Sequence, residues 1–395
     1  MIAQRITDDI HSFRAIDWDR KLFDELVPLP EGTTYNSYLV RGRDKTALID
    51  TVYPPKAEEL IAALKAAGVD RLDYIVANHA EQDHTGSIPA LLALFPEAKV
   101  VTNAKCKRFI LDTLPVDRDA FITVRDGDSL DLGGKTLSFH LTPWVHWPDT
   151  MVTFAVEDRI AFTCDFLGAH FATTELFARD EAQVAISAKR YYAEIMMPYR
   201  SFSAEALEKV EALDPVFVAP SHGPVHDRPA FIFDLYRGWT SDQVKPLVVI
   251  PYVSMYESTA KMVAVLVDRL TERGIAAQPV NVVDLDSGAL AMSIVDASTI
   301  VFASPTVLSG PHPSLAAAAI LINALAPKTR KVAVMGSFGW EGNLPDQVIA
   351  LLPRLKADVL EPVMTKGLPR EAAFEEIVRL ADDIAGLRTA DAAAA

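Results

Sequence analysis

The feature that most constrains this chain is a dense group of metal-binding residue types directly behind an apolar stretch. Residues 74–77 read Tyr-Ile-Val-Ala, which predicts a strand, and residues 79–84 read His-Ala-Glu-Gln-Asp-His. Four of these six residues can ligate a metal: His79, Glu81, Asp83 and His84. A run of this kind at the end of a strand predicts a metal site.

Three further candidates, His146, Asp165 and His222, occur later in loop-like settings beside apolar strand-like stretches. Loops at strand ends present side chains on a rigid frame, which is where binding residues concentrate. A single His or Asp at such a place is most often a surface or capping residue. The whole set in this order is hard to explain in that way, so we interpret it as one ligand set.

Composition narrows the class of protein. The 395 residues suggest two domains, and 50% hydrophobic with 23% charged residues is ordinary for a soluble globular protein. A net charge of -15 without a basic cluster argues against a nucleic-acid partner. No signal peptide and no stretch long enough to span a bilayer is visible, so we expect a cytoplasmic protein without a membrane partner.

The cysteine content limits the electron carriers that the chain can hold. Only Cys106 and Cys164 occur, too few for a disulfide framework, a four-thiolate iron-sulfur cluster or a rubredoxin-like iron site. Any electron donor must therefore be a separate molecule. Strand alternation predicts that Cys164, next to Asp165, faces the core.

The pattern of elements changes near residue 245. Residues 1–244 alternate short strands with turns and a few helices, which predicts a layered, sheet-rich α/β domain. Residues 245–395 alternate apolar strands with helices, which predicts a doubly wound parallel sheet buried on both faces. The low-complexity tail at residues 389–395 is expected to be frayed.

The first loop of the second domain, residues 254–259, offers hydroxyl groups and backbone N–H donors at the start of a predicted helix. This arrangement favours an anion. It lacks the Gly-Lys-Ser/Thr of a triphosphate-binding loop, so a monophosphate cofactor fits better. The simpler alternative is an ordinary Ser/Thr helix cap.

Two further loops, residues 304–310 and 337–343, follow strands at the same predicted sheet edge and could hold a flat aromatic ring. The three loops together resemble the flavodoxin pattern for flavin mononucleotide (FMN). Relatives usually carry Gly where this chain has Glu257, whose carboxylate must point away from the phosphate. The resemblance implies these cofactor-binding residues: Ser254, Met255, Tyr256, Ser258, Thr259, Pro305, Thr306, Val307, Gly310, Ser337, Phe338, Gly339, Trp340 and Gly342.

The ligand set in the first domain resembles the signature of the metallo-β-lactamase superfamily. Zinc hydrolases of that superfamily carry a second His where this chain has Glu81. Carboxylate oxygen is a harder ligand than imidazole and favours iron or manganese. The three carboxylates Glu81, Asp83 and Asp165, with a bridging hydroxide, would balance two ferrous ions, so the site is interpreted as di-iron.

Both halves together resemble the flavodiiron proteins, over nearly the whole chain. Residues 79–87, 146–149 and 337–340 match motifs of that family in the family's order. The resemblance implies an α/β fold with an N-terminal metallo-β-lactamase-like αββα sandwich and a C-terminal flavodoxin-like sheet. It also implies an oxidoreductase that reduces O₂ to water, nitric oxide to nitrous oxide, or both, at a non-haem di-iron site fed by FMN.

The resemblance also implies roles for individual residues. His79, Glu81 and His146 would hold one iron, Asp83 and His222 the other, and Asp165 with an oxo or hydroxo group would bridge them. His84 is a ligand in some members and turns away in others. The electron donor would be a rubredoxin, a flavin reductase or a deazaflavin. A head-to-tail homodimer, or a dimer of such dimers, would bring each flavin to its partner's irons.

Other residues and other functions stay open. His170 could line the substrate pocket or hydrogen-bond a ligand, and Tyr192, on a predicted helix with Tyr191, could donate a proton; packing is the simpler explanation of each. One rival function is a zinc hydrolase with an appended flavodoxin-like domain. The other is an electron carrier or binding module whose metal site has been lost.

Overall fold

The chain forms two compact units. The computed structural model describes residues 1–340 and 342–386, so the tail predicted to be frayed lies outside the described residues. Unit 1 comprises Met1–Ser241, and unit 2 begins at Asp242.

Unit 1 is rich in strands. Its strands are β1 (Ala3–Arg5), β2 (Ile10–Asp17), β3 (Leu22–Phe23), β4 (Val27–Pro28), β5 (Thr33–Arg41), β6 (Thr46–Ile49), β7 (Tyr74–Val76), β8 (Lys99–Asn103), β9 (Phe121–Val124), β10 (Ser129–Asp131), β11 (Thr136–Leu141), β12 (Met151–Ala155), β13 (Ile160–Cys164) and β14 (Phe217–Pro220). Its α-helices are α1 (Ala57–Ala66), α2 (Gln82–Thr85), α3 (Ile88–Leu94), α4 (Ala104–Thr113), α5 (Glu181–Tyr191), α6 (Arg200–Ala212) and α7 (Pro229–Thr240). Shorter turns are the 3-10 helices Pro54–Lys56, Arg118–Ala120 and Met197–Tyr199 and the π-helix Tyr192–Met196.

Two sheets form the centre of unit 1. The larger has seven strands in the order β1-β2-β5-β6-β7-β8-β9, and the smaller has five in the order β10-β11-β12-β13-β14. Strands β6 to β9 are parallel to one another, as are β13 and β14. Because parallel strands end on the same edge, the segments after β7, β13 and β14 can meet there.

Apolar side chains from the two sheets pack against each other in one core, which includes Tyr38 and Val76 of the first sheet and Phe139 and Phe162 of the second. The opposite face of the first sheet packs on helices α1, α3 and α4. Beside the second sheet lies α6, whose Lys209 ammonium donates to the Leu141 carbonyl of β11. Strands β12 and β13 are buried at every residue, which accounts for their continuous apolar runs.

Unit 2 alternates strands and helices. Its elements are β15 (Lys245–Tyr252), α8 (Ser258–Glu272), β16 (Ala276–Asn281), α9 (Ser287–Ile294), β17 (Ala297–Val307), β18 (Gly310–Pro311), α10 (Pro313–Leu325), β19 (Lys331–Phe338), α11 (Leu344–Ala350), β20 (Asp358–Val359), β21 (Val363–Lys366) and α12 (Glu371–Ala385).

The main sheet of unit 2 is parallel, with the order β16-β15-β17-β19-β20, and β21 continues the edge beside β19. Numbered within the unit, this is the 2-1-3-4-5 order of flavodoxin-like sheets, in which the crevice at the carboxyl ends of the strands receives the ligand. Helices α8 and α12 pack on one face through residues such as Leu266 and Leu380. The predicted doubly wound sheet is what the structure shows.

Among residues 1–340 and 342–386, no helix combines the length and the apolar character that crossing a bilayer demands.

Candidate metal centre and cofactor loops

The seven predicted ligands come together at one edge of the sheets in unit 1. His79 follows β7, Asp165 follows β13 and His222 follows β14, all at carboxyl ends of strands. Asp83 and His84 lie on the short helix α2, which continues from the same loop as His79 and Glu81. His146 lies in the loop between β11 and β12. The seven candidates are spread over residues 79–222, and they converge because the strands that precede them end side by side.

Four side chains form a first donor group. The His79 Nε2 atom lies 3.2 Å from the Glu81 Oε2 atom and 3.8 Å from the Asp165 Oδ2 atom. The His146 Nε2 atom lies 3.2 Å from the same Glu81 oxygen and 3.5 Å from the same Asp165 oxygen. Two imidazoles and two carboxylates thus face one common point, which we call the first metal position.

A second donor group lies on the other side of Asp165. The His84 Nε2 atom is 3.3 Å from the Asp83 Oδ1 atom and 3.0 Å from the Asp165 Oδ1 atom. The His222 Nε2 atom is 3.1 Å from the Asp83 Oδ2 atom and 3.3 Å from the Asp165 Oδ1 atom. His84 therefore points into this group, which we call the second metal position.

The carboxylate of Asp165 belongs to both groups. Its Oδ2 atom faces His79 and His146, and its Oδ1 atom faces His84 and His222. A carboxylate whose two oxygens serve two separate donor sets has the arrangement of a bridging ligand between two metals. The residue is buried, with 2% of its surface exposed, so no bulk water competes for these oxygens.

The donor sets fit metal ions. Donors about 2.1 Å from a metal and at right angles around it are roughly 3 Å apart, and the contacts above span 3.0–3.8 Å. Several of these atoms are buried without a hydrogen-bond partner in the described part of the chain: both Asp83 oxygens, Asp165 Oδ2 and His222 Nε2. Buried polar atoms are normally paired, so atoms that converge without hydrogen bonds indicate a cation between them.

The electrostatics of the donor sets also fit metal ions. Burial lowers the pKa of His222, but the carboxylates of Asp165 and Asp83 outweigh it and raise that pKa to about 10. Burial likewise lowers the pKa of His146, and Asp165 and Glu81 raise it to about 9. Without a metal, the carboxylates hold protons on these imidazoles at neutral pH. Metal ions must displace those protons, as expected for a site built for divalent cations.

His170 lies against the second metal position. Its ring is 4.6 Å from the His222 ring and 4.8 Å from the Tyr191 ring, and its Nδ1 atom is 2.8 Å from the Thr33 hydroxyl. Its Nε2 atom is buried and has no hydrogen-bond partner within the described ranges. Burial, and then the charge of His222, lowers the pKa of His170 well below its usual value. The structure thus places His170 beside the second metal position.

Tyr192 does not reach the site, which corrects its predicted role. Its hydroxyl donates to the Trp239 carbonyl at 3.1 Å, and its ring packs against Tyr236 and Trp239. The neighbouring Tyr191 instead donates to the Asp165 Oδ1 atom at 2.9 Å. Successive residues on a helix point about 100° apart, so only one of the two tyrosines can face Asp165.

Sequence reasoning missed two side chains that touch the ligands. Of the two adjacent tyrosines, Tyr192 is the predicted proton donor, yet it is Tyr191 that contacts Asp165. Asp149 was noted only as part of a motif, yet its Oδ2 atom lies 3.2 Å from the His79 Nδ1 atom. The signal for Asp149 was its place in the Trp-Pro-Asp sequence next to His146, since a carboxylate near metal-binding histidines often orients one of them.

In unit 2, the three predicted cofactor loops follow β15, β17 and β19, which are neighbours in the sheet. The loops therefore share one edge. In the first loop, the Ser254 hydroxyl accepts from the Ala260 amide at 3.1 Å, and helix α8 begins at Ser258. Met255 and Tyr256 are exposed at this loop, with 87% of Tyr256 accessible. The first amides of a helix have no partner within it, so those of Ser258 and Thr259 are placed to donate to an anion.

The second loop is a small hairpin, which the sequence did not predict. Thr306 pairs with Pro311 and Val307 with Gly310 across β17 and β18. Leu308, at its turn, is 94% exposed. Pro305 precedes it and pairs with Ser337 of β19, so the second and third loops begin side by side.

The third loop packs closely on the second. Ser337 and Phe338 end β19, while Gly339 and Trp340 follow it, with 82% of Trp340 exposed. A Cβ atom at Gly342 would lie 2.5 Å from the Thr306 Cγ2 atom, so a larger residue would not fit there. These contacts place the predicted loop residues around one crevice.

The crevice fits a phosphorylated cofactor. The hydroxyls of Thr259 and Thr306 are buried and have no hydrogen-bond partner among residues 1–340 and 342–386. Both belong to the predicted cofactor set, and each can donate to a ligand oxygen. Exposed apolar side chains at the same edge, Tyr256, Leu308 and Trp340, offer surface that a flat ring would cover.

Glu257 stands where relatives with the flavodoxin pattern usually carry Gly. It adopts a left-handed backbone conformation, with φ of 64°, as the residue that precedes α8. Glycine adopts this conformation without the steric cost that a Cβ atom brings. The Glu257 side chain is 80% exposed and lies 3.8 Å from the Lys261 ammonium, so its carboxylate faces solvent.

Comparison with known proteins gives matches over both units. The family described as "ODP family beta lactamase" matches residues 33–223. A coenzyme F420H₂ oxidase of Methanothermobacter marburgensis is 33% identical over 97% of this chain and 98% of its own length. A nitric oxide reductase of Moorella thermoacetica is also 33% identical, over 98% of each chain.

The likeness extends to three dimensions. The solved rubredoxin oxygen:oxidoreductase of Desulfovibrio gigas superposes with a TM-score of 0.93 at 30% sequence identity, covering 98% of this chain and 99% of that one. The flavodiiron protein of Giardia intestinalis gives a TM-score of 0.91 at 27% identity. The predicted fold class, a lactamase-like unit followed by a doubly wound parallel sheet, is confirmed.

Proposed function

We propose that this chain, which belongs to the family of flavodiiron proteins, is an oxidoreductase that reduces O₂ to water, nitric oxide to nitrous oxide, or both. The observation that carries the proposal is the position of Asp165, whose two carboxylate oxygens face two separate donor groups. Relatives that span the whole chain are named for each reaction, one as a nitric oxide reductase and one as a rubredoxin-oxygen oxidoreductase.

The donor set favours iron over zinc. The first metal position has the carboxylate of Glu81 where zinc hydrolases have imidazole, and both positions share Asp165. Harder oxygen donors suit ferrous and ferric ions. A zinc hydrolase with an appended second unit is therefore not favoured. A protein that has lost its metal would not keep seven convergent donors.

We assign the ligands by the two donor groups. His79, Glu81 and His146 would hold the first iron, while Asp83, His84 and His222 would hold the second. Asp165 would bridge the two. The assignment of His84 rests on its Nε2 atom, which lies 3.0 Å from Asp165 and 3.3 Å from Asp83.

When bound, FMN supplies electrons one at a time, and the two irons supply the place where the gas is held and reduced. Two side chains of the protein, Tyr191 and His170, act beside the metal positions. Tyr191 donates its hydroxyl proton in a hydrogen bond to the Asp165 Oδ1 atom and so fixes that carboxylate. His170 lines the pocket with an Nε2 atom that no described protein group occupies, and it can hydrogen-bond a substrate or a water there.

In unit 2, the loop after β15 would bind the phosphate of FMN through the Thr259 hydroxyl and the free amides at the start of α8. The loops after β17 and β19 would hold the ring. Support comes from the buried, unpartnered hydroxyls of Thr259 and Thr306 and from the close approach of Gly342 to Thr306.

The electron donor and the assembly are part of the same proposal. With two cysteines, both free and buried, the chain has no iron-sulfur or rubredoxin-type site of its own. A rubredoxin, a flavin reductase or a deazaflavin would therefore supply electrons from outside. We propose a cytoplasmic head-to-tail homodimer, or a dimer of such dimers, in which each flavin faces the irons of the partner.

The first experiment counts iron, zinc and FMN in the purified protein and then follows O₂ and nitric oxide consumption by the reduced enzyme. Two irons and one FMN per chain, with consumption of at least one gas, is the expected result. Zinc without flavin, or a fully loaded protein that consumes neither gas, would overturn the proposal.

The variant Glu81→His tests the choice of metal. It recreates the imidazole-rich donor set of the zinc enzymes, so we expect lower iron content, higher zinc content and a parallel fall in gas reduction. The matched control is Glu58→His, an acidic-to-His change on the exposed face of α1. Undiminished iron and activity in Glu81→His would contradict the ligand role of Glu81.

A further inference from the structure

We infer that Asp149 is a positioning residue that acts through His79 and makes this imidazole a stronger electron donor to the first metal position than His222 is to the second. The inference rests on the proposed function for the identity of the metal. The asymmetry itself follows from the side chains around the two donor groups.

Asp149 contacts the His79 ring on the side away from the first metal position. The Asp149 Oδ2 atom lies 3.2 Å from His79 Nδ1 and accepts from the Ala80 amide at 2.8 Å. His79 presents its other nitrogen, Nε2, to the first metal position. A neutral imidazole that uses Nε2 as a ligand carries its proton on Nδ1, so His79 donates that proton to Asp149.

Asp149 is itself held in place. It is 1% exposed, and its backbone carbonyl accepts from the Asn103 side-chain amide at 2.5 Å. The Asn103 Oδ1 atom in turn accepts from the Lys105 and Cys106 amides at the start of α4. The N-cap residue of α4 thus fixes the backbone of Asp149, and the Ala80 amide fixes its carboxylate, so the charge stays beside the His79 imidazole.

The second metal position has no such carboxylate behind His222. The His222 Nδ1 atom donates to the Thr34 backbone carbonyl at 2.7 Å, which is a neutral acceptor. A hydrogen bond to a carboxylate raises the basicity of a ligating imidazole more than one to a carbonyl does. The metal beside His79 therefore receives more charge from that ligand than the metal beside His222 receives from its own.

Exposure adds to the asymmetry. In the first group, the Glu81 side chain is 11% exposed and that of His146 is 12% exposed. In the second group, Asp83 is 4% exposed and His222 is 1% exposed. The electron-rich position is thus also the one that solvent and small solutes reach.

The test is the variant Asp149→Asn. Both hydrogen bonds end on the same oxygen, so the carbonyl oxygen of Asn can accept both, and only the negative charge is lost. Cobalt(II) is titrated into metal-depleted protein, and the two sites are followed by their separate absorption changes. We expect the first metal position, identified as the site that Glu81→His alters, to bind roughly 10- to 100-fold more weakly, the range for loss of an outer partner of a ligand, while the second is unchanged.

The same variant loaded with iron gives a second readout. We expect the Mössbauer signal of one iron to shift and its reduction potential to rise, because the weaker donor stabilises the ferric state less. Equal changes at both sites, or no change at either, would overturn the inference. Cobalt binding does not depend on gas reduction, so a protein inactive toward O₂ and nitric oxide can still confirm the role of Asp149.

Asp50→Asn is the matched control. Asp50 is another buried carboxylate, and it accepts from the backbone and side-chain amides of Asn78, directly before His79, and from the Ser221 hydroxyl at 3.3 Å, directly before His222. It supports the same loop without contacting the imidazole. A purely supporting carboxylate of this kind should therefore affect both metal positions. If Asp149 served only to support this loop, both variants would weaken both positions to a similar degree, and the inference would fail.

Discussion

The metal centre of unit 1 and the cofactor crevice of unit 2 are built in opposite ways. The central ligand Asp165 is 2% exposed, and its surroundings hold it from several sides. The crevice displays its residues on loops, where Tyr256, Leu308 and Trp340 are more than four-fifths exposed. The donors of the first site lie at buried strand ends, whereas the second site offers exposed surface that a bound molecule would cover.

The difference follows from what a metal ion and a flavin each need from a binding site. Metal ions are small and need several donors at fixed distances, which rigid strand ends and buried partners supply. A flavin is large and needs a surface to cover, so a few hydrogen bonds and apolar side chains suffice. A substitution in one site should therefore remove the ligand of that site and leave the ligand of the other in place.

The largest effect is expected for Asp165→Ala. Because Asp165 serves both donor groups, its loss should lower the affinity of both positions by more than the roughly 100-fold upper range known for an outer partner. Gas reduction should disappear while FMN content stays at the wild-type level. Metal analysis, flavin absorbance and gas consumption on one preparation measure all three.

The control for that variant is Asp8→Ala, which changes an exposed aspartate of unit 1. It should keep metal, flavin and activity. Loss of FMN in Asp165→Ala would break the comparison, because it would show that the two sites depend on each other.

Acid should destabilise unit 1 before unit 2. Burial lowers the pKa of His226 from 6.5 to about 4, while a hydrogen bond to the Leu167 carbonyl only partly opposes this. The folded state keeps His226 neutral, and the unfolded chain takes up a proton below pH 6.5. Stability is therefore fully present above pH 6.5 and falls as the pH drops toward 4, by about 3 kcal/mol from this residue.

The variant His226→Gln isolates that contribution. Gln can still donate to the Leu167 carbonyl but does not titrate, so the fall in unfolding free energy between pH 7 and pH 4.5 should be smaller in the variant. Denaturant unfolding of both proteins at the two pH values measures the difference. An equal fall in both proteins would show that His226 is not the cause.

A smaller effect is expected for Thr259→Val in unit 2. The buried Thr259 hydroxyl is without a partner in the described chain, and a hydrogen bond to a charged phosphate is worth about 1.5 kcal/mol or more. FMN should bind roughly 10-fold more weakly, with no change in iron content. Fluorescence titration of flavin-depleted protein measures this affinity.

Thr271→Val is the control, since Thr271 lies on the same helix, α8, and donates only to the Val267 carbonyl. Its FMN affinity should equal that of the wild type. If Thr259→Val also binds FMN normally, the phosphate does not use this hydroxyl, and the placement of the first cofactor loop needs revision.

The sequence predicted the donor set better than its surroundings. All seven ligand candidates converge, because residue type and position after a strand are enough to place a side chain at a sheet edge. The choice between Tyr191 and Tyr192 failed because the two are adjacent and of one residue type, and the sequence does not show which of them faces Asp165. The sequence did not predict the hairpin at Thr306 and Gly310, since both turn residues, Leu308 and Ser309, adopt positive φ, which Asn and Gly favour in such turns.

Asp149 shows a further limit of sequence reasoning. Its motif was visible, but its contact with His79 joins positions 70 residues apart, and nothing in a single sequence reveals that pairing. Partners of ligands are set by tertiary packing, whereas the ligands themselves are marked by their chemical type.

The exposed crevice has a consequence for how the protein is made in the cell. A chain that folds when flavin is scarce leaves Tyr256, Leu308 and Trp340 uncovered at one edge, and such patches favour self-association. Light scattering by flavin-depleted protein should fall when FMN is added, and scattering that ignores FMN would refute this. The supply of FMN would then determine how much of the newly made protein stays free of aggregates, independently of the supply of iron.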